Sequence, residues 1–179
     1  MKILETKRLI IRHYIPEDLD TLFDIFCDPK VKTYLPDAPT TYEKAREELE
    51  WFQNGHPKNP KLGLWGTIHK DTGQFIGSCG LLPLTIDGKP EIELSYMLAR
   101  FYWGQGLGTE AAKAVLSYGF EQLGLQRVIC LVDPENLRSV NVAKNIGMTF
   151  EREGEDEHGP YHLYAKDRQK NKISRMKGG

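Results

Sequence analysis

Three glycines at alternate positions, Gly104, Gly106 and Gly108, stand just before a helical pattern in YWGQGLGTEAAKAVLSYGF, residues 102–120. Ordered glycine costs backbone entropy, so the cluster calls for a tight turn or for a ligand brought close to the backbone. Upstream, in EIELSYMLA (91–99), Glu91, Glu93 and Ser95 share one face of an alternating segment, and Ile92, Leu94 and Tyr96 share the other. Carboxylates on such a face either move protons or are simply solvated. Cys27, Cys79 and Cys130 are odd in number and far apart, which argues against a disulfide framework and against CxxC metal chemistry. His158 and His162 are four apart, but Gly159 and Pro160 break the helix that would align them as metal ligands. No metal is expected.

Four readings of the glycines compete. A dinucleotide fold wants GxGxxG near the start of a βαβ unit, whereas here the spacing is GxGxG and several strands and two helices precede it. A nucleoside-triphosphate loop needs GK[ST] at the helix start, and Gly108-Thr109-Glu110 lacks the lysine. A plain turn that packs a helix onto a sheet is the third. The fourth is a pyrophosphate cradle, in which the backbone N–H groups of Gln105, Gly106, Leu107, Gly108 and Thr109 converge at a helix N-terminus. There the unpaired donors and the positive end of the dipole favour an anion, and no lysine is required.

The elements that would position these groups follow from periodicity. MKILETKRLIIRHY reads as a strand near a sheet edge. PEDLDTLFDIFCD is a helix ended by Asp28-Pro29. TTYEKAREELEWFQNG is a second, with a Thr40/Glu43 capping box, a stripe of Tyr42, Ala45, Leu49 and Phe52, and Gly55 at its end. LGLWGTIHK and GQFIGSCGLLPL form a hairpin about Asp71-Thr72-Gly73, and the strand 91–99 follows the turn Asp87-Gly88. The helix after the glycines ends at Gly124. RVICLVDP has the near-continuous apolar run of a central strand, a helix covers 137–145, and two strands close the chain. The order β-α-α-β-β-β-α-β-α-β-β predicts one mixed α/β (α+β) domain over residues 1–167, followed by a basic tail from 168 to 179.

Composition sets outer bounds. The 179 residues are 40% hydrophobic and 27% charged with a net charge of −1, which fits a folded soluble domain and supplies no basic field for nucleic acid. No apolar run approaches the ~20 residues of a membrane span, and the charged N-terminus does not resemble a signal peptide, so a cytoplasmic protein is expected.

Taken in order, strand EIELSYMLAR, turn FYWGQGLGTEA, strand RVICLVDPEN and helix NLRSVNVAKNIGM resemble the GNAT superfamily of acetyl-CoA-dependent N-acetyltransferases. The opening LETKRLIIRHYIPEDLDTLFDIFCDPKVKTYL resembles the branch containing the ribosomal-protein N-terminal (alanine/serine) acetyltransferases. The resemblance spans residues 4 to about 167 and implies a central mixed sheet of about seven strands with helices on both faces. It implies that the Q/R-x-x-G-x-G/A turn, here Trp103 to Gly108 with Trp103 at the Arg/Gln position, binds the coenzyme A pyrophosphate through its amides. It also implies that Met97, Leu98 and Ala99 pair with the pantetheine arm and that the amine attacks directly in a ternary complex. Cys79 is then a small buried thiol and not a nucleophile.

Acetyl transfer needs a neutral amine, a stabilised oxyanion and a means of quenching the thiolate. The E-x-x-Y-x-L pattern of that branch falls on Glu93 to Leu98, which makes Glu93 the first candidate base and Glu91 the second. The Tyr that many relatives carry seven residues after the Asn is Ala143 here. The N-x-x-S pattern instead makes Ser139 the candidate at the CoA sulfur, and Asn136 a pantetheine contact, a helix cap or both. The acceptor is an amine, either a small molecule or a protein N-terminus, with no nucleic-acid or membrane partner. Edge strands near the C-terminus leave a homodimer open. YLPDAPTTYEK, FQNGHPKNPKLGLW and EGEDEHGPY are the segments expected to line the acceptor pocket, and the acids among 151–157 read either as a hint of a cationic acceptor or as a solvated acidic hairpin. A non-catalytic acyl-CoA sensor is the alternative to an enzyme.

Overall fold

Thr6 turns the first apolar segment back on itself: its N–H donates to the Leu9 carbonyl at 2.9 Å. A computed structural model describes residues 1–169, and in it this segment is a hairpin of β1 (Lys2–Glu5) and β2 (Leu9–Arg12) where the pattern suggested one strand. The basic run from residue 170 onward lies outside the described residues.

Helix α1 (Leu19–Cys27) buries Leu19, Leu22, Ile25 and Phe26, spaced for one face. Asp28 and Pro29 end it and also start a short α2 (Pro29–Lys32), because the Asp28 carboxylate accepts the Lys30 N–H at 2.9 Å and Pro29 needs no donor there. Helix α3 (Tyr42–Phe52) is capped by Thr41, whose Oγ1 accepts the Lys44 N–H, one residue later than the expected Thr40. With the cap shifted, Glu43 leaves the capping-box position and pairs with Arg46. Tyr42 also leaves the expected apolar stripe: it is exposed, and its hydroxyl donates to Asp20 at 2.6 Å.

Strands β3 (Gly63–His69), β4 (Phe75–Ile86) and β5 (Lys89–Leu98) form a meander about the two expected turns, with Gly73 at φ +66° and Asp87-Gly88 at φ +51° and +73°. Then come α4 (Leu107–Glu121), β6 (Arg127–Val132), α5 (Leu137–Asn145), β7 (Thr149–Asp156) and β8 (Gly159–Asp167). The eight strands, one more than expected because of the N-terminal hairpin, run β1-β2-β3-β4-β5-β6-β8-β7.

Helices cover both faces of the sheet. On one, Ala111, Ala112 and Val115 of α4 pack with Trp65, Cys79, Leu81 and Leu94. On the other, Leu22 of α1 and Ala45 and Leu49 of α3 pack with Tyr14, Ile68 and Phe75. Neighbouring strands are antiparallel except β5 and β6, which are parallel and register only at Glu93↔Ile129. Beyond that pair β5 continues to Leu98 with β4 alone, so the sheet splits and the end of β5 faces a cleft.

Candidate active site

The split opens into a cleft of ≈ 770 Å³ between the start of α4, the start of α5, the α2–α3 loop and the β7–β8 hairpin. At one end stands the glycine turn. Gly104 (φ +73°) and Gly106 (φ +75°) are both left-handed, a conformation that side chains other than glycine adopt only under strain. Gly106 is the N-cap of α4 and offers no side chain to the helix. The first intrahelical bond runs from the Glu110 N–H to the Gly106 carbonyl at 3.0 Å, so the N–H groups of Leu107, Gly108 and Thr109 have no partner within the helix. All three residues line the cleft. A Cβ added at Gly106 would approach only the Arg8 guanidinium, at 3.5 Å. Gly108 is different: its φ is not left-handed, and a Cβ there would make ordinary contacts with Leu98 and Val142 at 3.7 and 3.9 Å. A backbone conformation that calls for glycine is therefore a property of Gly104 and Gly106 rather than of all three glycines.

Two side-chain arrangements hold this turn, and neither was anticipated from the sequence. In the first, the Glu110 carboxylate accepts from Thr6 Oγ1 (2.6 Å), from the Arg8 N–H (2.8 Å) and from Arg8 Nε (2.7 Å). Arg8 then donates through Nη1 to the Gln105 carbonyl at 2.9 Å. Burial would raise the Glu110 carboxyl, but these donors outweigh it and hold its pKa below the usual carboxylate value. In the second, Trp103 Nε1 donates to the Leu98 carbonyl at 2.8 Å, tying the turn to the end of β5, and Arg138 of α5 stacks over the indole at 4.0 Å. The first joins residues about a hundred apart in sequence and the second brings Arg138 from another helix onto Trp103, out of reach of local pattern.

Met97 and Leu98 line the cleft. Ala99 does not: its N–H donates to Ile76 and its carbonyl accepts from Tyr102, which engages both groups within the protein. Gln105 is also turned away, its side-chain amide on the Phe101 carbonyl and its own carbonyl on Arg8.

Glu93 sits where β5 and β6 part and lines the cleft. Burial pushes its carboxyl up to about 7, against the pull of the nearby Leu131 amide and with the help of the Asp156 charge. Glu91, two residues earlier, is bound in an ion pair with Arg127 at 3.1 Å and is absent from the cleft wall. Geometry thus separates two carboxylates that the strand pattern left equivalent. Asn136 is the N-cap of α5, its Oδ1 accepting the Ser139 N–H at 3.3 Å. With Asn136 as cap, the Ser139 hydroxyl is not used for capping. Ser139 lines the cleft, and its carbonyl accepts from the Tyr96 hydroxyl at 3.1 Å. Cys79 is fully buried and burial raises its thiol, so it has no access to the cleft.

The opposite end of the cleft is formed by Tyr34 to Ala38 from the α2–α3 loop and by Asp156 and His158 to Tyr161 from the β7–β8 hairpin, and Glu48 of α3 lines the wall as well. Two of the three segments expected there contribute; of the third, FQNGHPKNPKLGLW, only Leu64 does. His158 Nε2 lies 2.8 Å from Asp37, joining hairpin and loop over the cleft. Among the described residues no group of three or more His, Cys, Asp or Glu side chains is disposed to hold a metal, and no helix is long and apolar enough to cross a membrane.

Residues 8–149 match the family model described as the acetyltransferase (GNAT) domain. The chain is 35% identical to the uncharacterized protein YkkB of Bacillus subtilis over 91% of this chain and 94% of that one. It is 32% identical to the uncharacterized N-acetyltransferase p20 of Bacillus licheniformis, over 86% and 85%. Among solved structures, a GNAT-family acetyltransferase from Bacillus anthracis superposes with a TM-score of 0.79 at 25% identity, covering 94% of this chain and 99% of that one.

Proposed function

The chain belongs to the GNAT acetyltransferase family and is an N-acetyltransferase, and from that premise we propose that it transfers an acetyl group from acetyl-CoA to a primary amine by direct attack in a ternary complex. The observation that carries this reading is that unpaired amides at the N-terminus of α4 and the Glu93 carboxylate open into one cleft at the split between β5 and β6. The groups present suit a pyrophosphate: Leu107, Gly108 and Thr109 offer backbone donors with the helix dipole behind them, and the left-handed Gly106 caps the helix with no side chain to occupy them. Met97 and Leu98 offer the end of β5 to the pantetheine arm. When bound, the cosubstrate supplies an activated thioester.

The chain's own residues do the rest. Glu93 takes the proton from the acceptor ammonium; its carboxyl, raised to about 7, is a stronger base than an ordinary carboxylate while still ionising near neutrality. Ser139, with its hydroxyl unused by the helix cap, donates toward the sulfur end. The cleft walls hold the two reactants together, which supplies much of the rate.

The test is release of CoA thiol from acetyl-CoA across a panel of primary amines and N-terminal peptides, with wild type, Glu93→Gln and Ser139→Ala. Amine-dependent release that falls in both variants supports the reading. Tight CoA binding with no release on any amine, unchanged by either substitution, would make the chain an acyl-CoA sensor.

A further inference from the structure

Most acids along the cleft are already partnered. Asp37 faces His158, and Asp133 and Asp156 accept backbone N–H groups from Glu135 and His158 at 2.8 Å. Glu48 is different: among the described residues its carboxylate makes no hydrogen bond and no ion pair. On the same helix Glu43 and Glu50 share Arg46 in solvent, while Glu48 is half-buried on the cleft wall beside the core residues Ala45 and Leu49. Burial alone pushes its carboxyl up to about 7. Holding an unpartnered carboxylate in such a place destabilises the free protein, a cost that a cation arriving with a ligand would relieve.

Position narrows the kind of cation. The charge of Glu48 acts on the Tyr14 phenol, whose hydroxyl is hydrogen-bonded to Ser78 Oγ at 2.6 Å. Ser78 is the register partner of Met97 on β5, and Leu82 is the partner of Glu93. Four residues of strand separate Ser78 from Leu82, roughly 13 Å. Glu93 and Glu48 therefore stand apart along the cleft, with the apolar Leu64 and Met97 also on its wall. Of the cations on the cleft wall, Lys30 is an exposed side chain on α2, and Arg138 is stacked on Trp103 at the cradle end.

Resting on the reading of this cleft as an acetyltransferase site, we propose that Glu48 is an acceptor-binding residue that pairs with a second positive charge on the acceptor. The substrate class is a primary amine carrying a distal ammonium or guanidinium group across a hydrocarbon spacer. Glu93 receives the reacting nitrogen and Glu48 holds the far end.

The test is calorimetric titration of 1,8-diaminooctane and n-octylamine into the CoA-loaded protein, for wild type, Glu48→Gln and Glu48→Asp. The wild type should bind the diamine roughly tenfold or more tightly than the monoamine, as one charge-assisted contact provides. In Glu48→Gln that ratio should fall toward one while CoA affinity holds, and in Glu48→Asp it should fall only in part. The thermal midpoint of Glu48→Gln should stay level or rise, since an unpartnered buried charge is removed; a merely structural glutamate would lower it. No preference for the diamine in wild type, or an equal loss for both amines in Glu48→Gln, would overturn the proposal and leave the acetyltransferase reading standing. Failure of CoA to bind at all would overturn both.

Discussion

The two ends of the cleft are built to hold a ligand by opposite means. The α4 end offers backbone amides, and its side chains work behind the turn: Glu110 ties it to the β1–β2 turn, and Trp103 ties it to β5. The far end offers side chains from three separate segments, with Glu48 and Glu93 exposed to the cavity and raised in pKa. A surface of backbone donors depends on local conformation, which few residue types can supply. A surface of side chains can be rewritten without touching the fold. One end therefore suits a cosubstrate common to a family, and the other suits an acceptor that differs among its members.

The contrast can be broken or sharpened by substitution. The largest effect is expected from Glu93→Gln, which should lower kcat by roughly 10²–10⁴-fold while CoA affinity holds. In the wild type, kcat/KM should rise as pH passes through about 7, where the Glu93 carboxyl loses its proton, and the variant should lack that limb. The same shift affects stability. A carboxyl raised above its unfolded value of ~4.3 holds a proton in the native state that the unfolded chain has lost, so its contribution to stability declines between about pH 4 and pH 7. Urea melts across that window should show a shallower decline in Glu93→Gln.

Glu110→Gln should come next, costing about 1–3 kcal/mol by leaving the Arg8 donors poorly matched. Here the sign is reversed. The folded carboxyl lies below its usual value, so its stabilisation is present in full above ~4.3 and is lost as pH falls through the folded value. The stability gap between wild type and variant should close in acid. Gly106→Ala should cost about 1–2 kcal/mol because φ is +75° there, and it should also weaken CoA binding. Gly108→Ala should be nearly silent for stability. The smallest loss is expected from Trp103→Phe, about 1 kcal/mol for the hydrogen bond to Leu98, read from thermal melts.

What was legible in the sequence follows the same division. The alternation in 91–99, the turn at Asp87-Gly88, the helix at 137–145 and the glycine turn are local patterns, and each stands in the structure within two residues of where its spacing put it. The N-terminal hairpin was missed because a four-residue strand on either side of Thr6 carries too little alternation to declare a reversal. The choice of Thr41 over Thr40 as cap depended on which turn of α3 would press Ala45 and Leu49 onto the sheet, a tertiary matter. At the site, alternation puts Glu91 and Glu93 on one face and the resemblance ranks Glu93 first; that Glu91 is tied up by Arg127 and its partner Glu151 on β7 is a tertiary fact. Glu48 was read only as part of a helix, since nothing in its own window tells that its side of the helix borders a cavity.

The central claim is that the N-terminus of α4 is an anion site for the cosubstrate, and amide NMR tests it most directly. CoA, with NAD as a control, would be titrated into uniformly ¹⁵N-labelled protein. The N–H resonances of Leu107, Gly108 and Thr109 should shift most strongly with CoA, those of Met97 and Leu98 should follow, and NAD should leave all five in place. If CoA bound and left those three amides unmoved, or if NAD moved them as far, the cradle would lie elsewhere and the account of this cleft would be wrong.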